Sequence, residues 1–334
     1  MRISVFITSY NQKHYLEEAI DSVLAQTLQP FEIVIVDDAS TDGSQELIQD
    51  YARRYPDQIR PFCHAHNIGL PRNKNFALEQ VRGELVTYLD GDDRFLPHKL
   101  ERELALYEKQ PPTTVIFSNF YFTDGNGRRT GVWAEAGAVV PVGKVFRDVF
   151  ARNYPRDILF RNELAPLACL RQVGFYDGNF AMYIDWELRV RCSKHYPVAY
   201  CEEPLAEYRV HGGGISSASV LRHLDQKTRV YEKNVWLLDD GPAEDRTFVE
   251  QRLRADFDKL WHQAKREYVS LALQRALAEN CRWQSFRRWV QLLRFGLSSR
   301  VLKLGVRVLT PTWVYRHARN TLHALIGTRG EATE

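Results

Sequence analysis

Residues 31–43, FEIVIVDDASTDG, decide how the chain folds. The run over 33–36 is apolar and β-branched without interruption, as a parallel strand buried on both faces requires. It stops at a turn, 37–43, that is rich in residues that form turns and cap helices. The stretch therefore predicts a buried parallel strand whose carboxyl end carries Asp37 and Asp38, followed by a helix.

The same alternation continues on both sides of this stretch. Apolar runs over 3–10, 59–65 and 84–89 alternate with segments whose apolar residues recur three and four positions apart, as in amphipathic helices. This order predicts an α/β fold with a Rossmann-like, doubly wound, mostly parallel sheet. Ligands of such sheets bind beyond the carboxyl ends of the strands. Five aspartates are predicted to lie there: Asp37, Asp38, Asp90, Asp92 and Asp93.

The rest of the chain divides by its pattern. The 334 residues suffice for two domains, or for one large domain with an extension. Residues 111–220 mix strand, turn and helix patterns, whereas 225–334 are helical in pattern. We therefore expect one domain over 1–220, with halves 1–110 and 111–220, and a helical, basic extension over 221–334.

The cysteines and the apolar runs bear on the compartment. The five cysteines include no C-x-x-C pair, which fits a reducing compartment and gives no support for a zinc site or a disulfide framework. Arg2 leads directly into a strand-like run, so we expect no signal peptide. No run of about 18 apolar residues predicts a membrane-spanning helix. We expect a cytoplasmic protein that could be peripheral to a membrane.

The turn after the strand at 84–89 is the first candidate site. Asp90 and Asp92 are separated by one glycine, so two carboxylates can face one divalent cation and leave coordination positions open. Mg²⁺ commonly takes one or two protein carboxylates, while substrate phosphates supply further oxygens. A cation there would stabilise the charge that grows on a departing diphosphate. The alternative is a solvated acidic turn that caps the next helix.

A second candidate site combines Thr8 and Tyr10 with Asp37 and Asp38. These residues lie at the ends of strands that are predicted to be neighbours. A carboxylate there can accept the imide N–H of a uracil base, and the ring of Tyr10 can stack on the base. The alternative is that one of the two aspartates only caps the following helix.

Several stretches resemble the family-2 glycosyltransferases of the GT-A fold. They occur in the family's order and spacing, and the likeness covers roughly residues 1–215. The stretches are SVFITSYN (4–11), SVLAQT (22–27), IVDDASTDGS (35–44), NIG (67–69) with Arg72-Asn73, and YLDGDD (88–93). The resemblance implies a GT-A catalytic domain over 1–220, in which 1–110 binds a nucleotide sugar and 111–220 binds the acceptor.

The resemblance also implies roles for residues of the donor site. Thr8, Tyr10 and Asp38 match the positions that hold the base, and Asp37 neighbours them. Arg72 matches a position close to the base and the diphosphate.

Three further residues match a metal site of the family. Asp90 and Asp92 match the D-x-D motif, which contacts the ribose and the metal, with Asp92 the expected direct ligand. His211 lies in a Tyr-Arg-x-His segment, where the histidine can complete the metal site or touch the diphosphate. The alternative for His211 is a packing role beside a linker. Family members use Mg²⁺ or Mn²⁺ and invert the anomeric centre.

Asp185 is the candidate catalytic base. Inversion is a single in-line displacement, so the acceptor hydroxyl must lose its proton as it attacks, and a positioned carboxylate can take it. The family commonly has Glu-Asp here, whereas this chain has Ile184 before Asp185. Glu187 is the rival base and a candidate acceptor contact, and Trp186 could stack on a sugar or lie in the core. The alternative role for Asp185 is a helix N-cap.

Residues 282–329 carry ten lysines and arginines and no aspartate or glutamate. Apolar and aromatic residues are interleaved with these charges, which suits helices that lie on an anionic membrane. Nucleic acid would also attract this charge, but a transferase domain favours lipid, and we expect no nucleic-acid partner. A solvated helical cap or an oligomer interface is the alternative. A position on the inner face of the plasma membrane would suit a lipid-linked acceptor.

Together these patterns favour one function over its rivals. We expect an inverting transferase that moves a sugar from a nucleotide-diphosphate donor, with a UDP-sugar as the expected donor, to a glycan or lipid-linked acceptor in cell-surface polysaccharide synthesis. The alternative is a catalytically weak, nucleotide-sugar-binding scaffold docked at the membrane, which Ile184 leaves open. A nicotinamide dehydrogenase is disfavoured because no G-x-G-x-x-G follows the first strand.

Overall fold

The structure, a computed structural model, describes residues 1–212 and 219–278 and the single positions 287 and 290. Its strands are β1 (Ile3–Ser9), β2 (Glu32–Asp37), β3 (Ile59–Cys63), β4 (Leu85–Asp90), β5 (Arg94–Phe95), β6 (Val115–Thr123), β7 (Arg129–Val132), β8 (Ala165–Pro166) and β9 (Val198–Arg209). Its helices are α1 (Lys13–Leu24), α2 (Ser44–Arg54), α3 (Leu70–Gln80), α4 (Lys99–Tyr107), α5 (Phe146–Phe150), α6 (Leu167–Val173), α7 (Ile184–His195), α8 (Val220–Asn234) and α9 (Ala243–Ala278).

The first sheet confirms the predicted α/β fold. Within the described residues it has the order β3-β2-β1-β4-β8, in which β1 to β4 are parallel and β8 is antiparallel to β4. Every residue of β1 and β2 is buried, as the apolar runs in the sequence predicted for strands covered on both faces. The strand order reverses between β2 and β4 around β1, which places the ligand-binding edge at the carboxyl end of β1.

The helices cover the sheet with apolar faces at the expected spacing. Helix α1 buries Leu16, Ala19, Ile20 and Val23, which lie three and four positions apart and so form one stripe. Pro71 lies in the first turn of α3, where its missing N–H leaves no hydrogen bond unmade. The helices cover the faces of the sheet, and turns follow the carboxyl ends of its parallel strands.

A second sheet brings a distant part of the chain to the same edge. Within the described residues its order is β5-β9-β6-β7, and β9 pairs in parallel with β6 and antiparallel with β5. Because β5 directly follows the Asp90–Asp93 turn, its pairing with β9 brings the end of β9 beside that turn. The residues just after β9, His211 among them, therefore reach a site built by the first sheet.

The chain divides into two units. The first is compact, runs from Met1 to Asp256 and includes α8, beyond the boundary at 220 expected from the sequence. The second begins at Phe257, and its described part is the remainder of α9 with positions 287 and 290. Apart from those two positions, the basic segment over 282–329 lies outside the described residues. None of the helices described is long and apolar enough to cross a membrane.

Gly83 offers a test of the packing at the amino end of the sheet. A Cβ atom added to Gly83 would lie 2.7 Å from the carbonyl oxygen of Arg2 and 2.8 Å from the amide nitrogen of Ser4. Since backbone atoms of a buried strand cannot move aside cheaply, we expect Gly83→Ala to destabilise the protein by about 1–3 kcal/mol. Urea unfolding measures this loss.

Gly241→Ala is the matched control, because its Cβ would meet nothing closer than 3.6 Å. Its effect should stay within about 0.5 kcal/mol. Equal unfolding midpoints for Gly83→Ala and the unaltered protein would contradict the packing described.

Candidate active site

The parallel strands end at one edge, as predicted from the sequence. In the strand register Ser9 pairs with Asp37, and Thr8 pairs with Asp90. The backbone contacts continue past the strands, because the amide of Asp38 donates to the carbonyl of Ser9 at 2.9 Å. The two acidic turns are therefore neighbours across the end of β1.

The Asp90–Asp93 turn is folded tightly against β1. The amide of Gly91 donates to the carbonyl of Thr8 at 3.0 Å, and the amide of Asp93 donates to the carbonyl of Asp90 at 3.0 Å. A Cβ atom at position 91 would lie 3.0 Å from that Thr8 oxygen and 2.8 Å from Oε1 of Gln12. Only glycine fits here without displacing its neighbours, which explains the residue between the two aspartates.

Asp90 is held between two cations. Its Oδ1 lies 3.0 Å from Nζ of Lys74, and its Oδ2 accepts a hydrogen bond from Nη2 of Arg161 at 3.2 Å. Asp90 is partly buried, at 22% exposed, so these pairs are screened less than surface ion pairs. Both oxygens of Asp90 already have protein partners.

Asp92 has a different neighbour, the imidazole of His211. Nε2 of His211 lies 2.9 Å from Oδ2 of Asp92, and both side chains are about one-sixth exposed. The ring of His211 also packs against Tyr15, with 5.1 Å between the ring centres. Arg209, two residues before His211, holds this segment beside Asp92, because its Nε donates to the carbonyl of Asp92 at 2.9 Å.

Asp93 ties the two sheets together below this pair. It is buried and accepts hydrogen bonds from the backbone amide of Arg209 at 2.8 Å and from Nη2 of Arg161 at 3.2 Å. Burial raises the pKa of the Asp93 carboxyl, and the neighbouring Asp92 and Asp90 act in the same direction, although Arg161 opposes them. Asp93 thus anchors the segment that carries His211.

Asp92 and His211 could hold a divalent ion, and Asp90 is less suited to do so. A carboxylate oxygen suits Mg²⁺ and Mn²⁺, and a neutral imidazole nitrogen is a competent metal ligand. Among the described residues no group of three or more His, Cys, Asp or Glu side chains is arranged to hold a metal. The donor set therefore fits an ion that takes two ligands from the chain and the rest from phosphate oxygens and water.

The predicted base-binding aspartates are occupied by backbone amides. Asp37 is fully buried and accepts the amide of Ser40 at 2.8 Å. Asp38 accepts the amides of Ile68 and Gly69 at 2.7 and 2.9 Å, one on each carboxylate oxygen. Each oxygen has two lone pairs and accepts one amide, so Asp38 keeps capacity for up to two more donors.

The other predicted donor residues differ in exposure. Thr8 is buried at the end of β1, whereas Tyr10 is 50% exposed just beyond it and free to stack on a planar ligand. Arg72 is exposed at the start of α3. A Cβ atom at Gly178 would lie 3.6 Å from Nε of Arg72, so the guanidinium borders the 178 loop.

Asp185 lies close to Asp90, because one lysine contacts both. Oδ1 of Asp185 is 3.5 Å from Nζ of Lys74, which is itself 3.0 Å from Asp90. Burial opposes the charge on Asp185, but Lys74, Arg189 and Arg161 outweigh it and hold its pKa below the usual value. The N-cap of α7 is Tyr183, with φ of 58°, so Asp185 sits inside the helix and does not cap it.

The two tentative acceptor residues are engaged inside the protein. Trp186 is 2% exposed, and its Nε1 donates to the carbonyl of Val149 at 3.1 Å, which is the core position weighed from the sequence. Glu187 is fully buried and pairs with Arg191 and Lys233, each at 2.7 Å. These contacts leave neither side chain facing a ligand, and a role in acceptor binding would require both to be released.

Sequence reasoning missed three cations of this site: Lys74, Arg161 and Arg189. Lys74 directly follows the Arg72-Asn73 pair that carried the family resemblance, so its position gave a signal. Arg161 lies in an irregular segment that no pattern connects with Asp90. Arg189 pairs with Glu163 at 2.8 Å and donates to the hydroxyl of Tyr88 at 2.9 Å, contacts that only the folded chain reveals.

Buried polar atoms without a hydrogen-bond partner concentrate at the same edge. Seven such side-chain atoms occur among the described residues, and five belong to residues at or next to this edge: Ser9, His64, Asn73, Arg161 and Asp185. Native proteins leave few buried polar atoms unpaired, and those few call for an explanation. A polar ligand at this edge would supply the missing partners.

Comparisons with known proteins agree with this architecture. The model of the family described as "Glycosyl transferase family 2" matches residues 4–184. An uncharacterised glycosyltransferase of Nostoc is 30% identical over 242 residues, which cover 69% of this chain and 71% of the relative. An uncharacterised protein of Mycobacterium tuberculosis is 31% identical over 230 residues, or 64% of this chain and 60% of that relative's own length.

A solved structure has a similar fold. The crystal structure of S. aureus TarS 1–349 in complex with UDP-GlcNAc matches with a TM-score of 0.63 and 18% identity, over 90% of this chain and 93% of that one. At this identity the likeness concerns the fold. With the family model matching more than half of the chain, the protein belongs to glycosyl transferase family 2 and has the GT-A fold.

Proposed function

We propose that the chain is an inverting glycosyltransferase that uses a UDP-sugar and a divalent metal. One observation carries the proposal: a single ammonium, Nζ of Lys74, lies within 3.0 Å of Asp90 and 3.5 Å of Asp185. The candidate base therefore lies beside the carboxylate at the donor end of the site, close enough for both to act on one bound substrate. The GT-A neighbour TarS, crystallised with UDP-GlcNAc, supports UDP as the nucleotide.

The proposed reaction is a single displacement at the anomeric carbon. The acceptor oxygen forms its bond to that carbon while the bond to the diphosphate oxygen breaks, so the configuration inverts and the nucleoside diphosphate leaves with the electron pair. Asp185 accepts the acceptor's proton, for which its low pKa keeps it ionised at neutral pH. Arg72, exposed at the start of α3, can donate hydrogen bonds to the diphosphate.

A metal would be held by Asp92 and His211 and would neutralise charge on the departing diphosphate. Tyr10 would stack on the base, and Asp38 would accept its imide N–H with the acceptor capacity that its backbone contacts leave. Because Asp90 is held by Lys74 and Arg161, we assign it to the ribose end of the donor. In this proposal Asp37 shapes the turn and makes no contact with the donor.

The acceptor and the location are further parts of the proposal. The basic segment over 282–329 supports contact with anionic lipid on the cytoplasmic face of the plasma membrane. A glycan or lipid-linked acceptor of surface polysaccharide synthesis would be within reach there. The rival proposal is a nucleotide-sugar-binding scaffold with weak activity, which the apolar Ile184 before the base favours.

A panel of nucleotide sugars tests the donor. We expect UDP and UDP-GlcNAc, with Mn²⁺, to raise the melting temperature, and GDP-mannose to leave it unchanged. Ligand at about a hundredfold excess over Kd stabilises a protein by about 2.7 kcal/mol, a shift of several degrees. The measurement is a thermal unfolding scan with and without Mn²⁺. A panel in which no nucleotide shifts the melting temperature would contradict donor binding.

Asp92→Ala tests the metal assignment. Since the variant removes one of two protein ligands, the Kd of Mn²⁺ in the presence of UDP should weaken at least about tenfold, as electron paramagnetic resonance would measure. Donor hydrolysis should fall in parallel and should stop in EDTA. Asp57→Ala, an exposed aspartate before β3 at the opposite edge of the sheet, is the control and should bind Mn²⁺ normally. Undiminished turnover in EDTA would refute the metal's role.

Asp185→Asn tests the base. The amide cannot take the acceptor's proton, so we expect kcat to fall by about 10²–10⁴-fold while the Kd of UDP stays within about threefold. Glu187→Gln, the rival, should lower stability because it breaks two buried ion pairs. A variant Asp185→Asn with full activity, or a loss of kcat confined to Glu187→Gln, would overturn the assignment.

A further inference from the structure

Lys74 is an unusual lysine for a soluble protein. Its side chain is 1% exposed, and its ammonium lies between Asp90 and Asp185, with the ring centre of Tyr88 at 4.0 Å and that of Tyr176 at 5.5 Å. A buried ammonium is costly unless it is paired, and aromatic faces add a smaller attraction. The two carboxylates and the two rings together hold the charge in one place.

Asp185 depends on this lysine more than Asp90 does. Asp90 has a second cation in Arg161, whereas Lys74 makes the one ion pair of Asp185 within the described residues. Oδ1 of Asp185 is buried and makes no hydrogen bond. The cation that fixes the Asp185 carboxylate therefore comes from another element, α3.

The residue before Asp185 carries no charge. Ile184 is 2% exposed and apolar, where the family resemblance predicted a glutamate. A glutamate there would add a second negative charge next to Asp185 in the chain, while the isoleucine adds none. The cation that pairs with Asp185 comes from outside its own turn, from Lys74 of α3.

We propose that Lys74 is a positioning residue that fixes the base Asp185 against the donor-end carboxylate Asp90. The inference rests on the proposed function, in which Asp185 takes the acceptor's proton. A displacement of about 1 Å in a reacting group can lower the rate by about a hundredfold. Lys74 thus acts on the reaction through Asp185, without contacting the acceptor.

Stability measurements test the Lys74–Asp185 contact without any assay of activity. Lys74→Met roughly keeps the length and volume of the side chain but leaves Asp185 without its ion-pair partner and Asp90 with Arg161 alone, and the melting temperature should fall by roughly 10 °C. Adding Asp185→Asn removes one of those charges and should recover part of the loss. Strict additivity of the two changes in this double-mutant cycle would overturn the inference.

Lys99→Met is the matched control. Lys99 is also fully buried and pairs with Glu103 at 2.5 Å, four residues further along α4. It contacts neither Asp90 nor Asp185, so its loss should lower the melting temperature by a similar amount, and Asp185→Asn should give no recovery in that background. Recovery in the Lys99→Met background would show a general effect of removing a carboxylate and would also overturn the inference.

Kinetics separate positioning from a purely structural role. With hydrolysis of UDP-GlcNAc as the probe, Lys74→Met should lower kcat about a hundredfold while the Kd of UDP changes less than about threefold. Lys74→Arg should restore part of the rate, and Lys99→Met should keep kcat near that of the unaltered protein. A normal kcat in Lys74→Met would refute the proposal.

Different results would refute the proposed function and the proposed role of Lys74. If the unaltered protein neither binds nor hydrolyses UDP-GlcNAc or any other UDP-sugar, the proposed function fails. The double-mutant cycle then still decides whether Lys74 and Asp185 are coupled. If the unaltered protein is active and the cycle is additive, only the role of Lys74 fails.

Discussion

The parallel ladders on both sides of β1 extend beyond the strands into the two acidic turns. Ser9 accepts the amide of Asp38, and Thr8 accepts the amide of Gly91, as the next hydrogen bonds in each ladder. The backbone at the start of both turns is therefore hydrogen-bonded to the sheet. A shift of either strand by one residue would turn the aspartates toward the wrong face. Residues at both turns thus depend on the register of buried apolar strands.

The buried charged side chains at this edge take their partners from other elements, which must therefore pack against it. Asp93 is buried and accepts the amide of Arg209, so the end of β9 must dock beside the turn before that carboxylate is satisfied. The guanidinium of Arg209 in turn reaches Glu18 on α1 at 2.7 Å. Each of these charged groups therefore gains its partner from a different element, so the contacts at this edge depend on one another. His211 reaches Asp92 as a consequence of this docking.

The sequence predicted the parts of the site that follow from local pattern. Apolar runs such as 33–36 fix the strands, and the strand ends fix the edge at which Asp38 and Asp90 lie. Contacts between distant segments leave no pattern in the local sequence, so the pairing of Asp90 with Arg161 could not be predicted. The position of Glu187 was also beyond local reasoning, because its burial depends on Lys233, a residue of another helix. The sequence pattern thus predicts where strands and helices lie, whereas the ion-pair partner of a charged residue depends on how these elements pack.

The two aspartates of the Asp90-Gly91-Asp92 turn have different partners. Asp90 lies between Lys74 and Arg161, so its charge is already balanced and a metal would compete with two cations for it. Within the described residues, the ion pair of Asp92 is with the imidazole of His211, which can act as a neutral ligand next to the carboxylate. The hydrogen bond from the amide of Gly91 to the carbonyl of Thr8 fixes the backbone between the two aspartates. In the proposed function the two aspartates therefore differ: Asp90 would lie between the donor and the base Asp185, and Asp92 would hold the metal at the diphosphate.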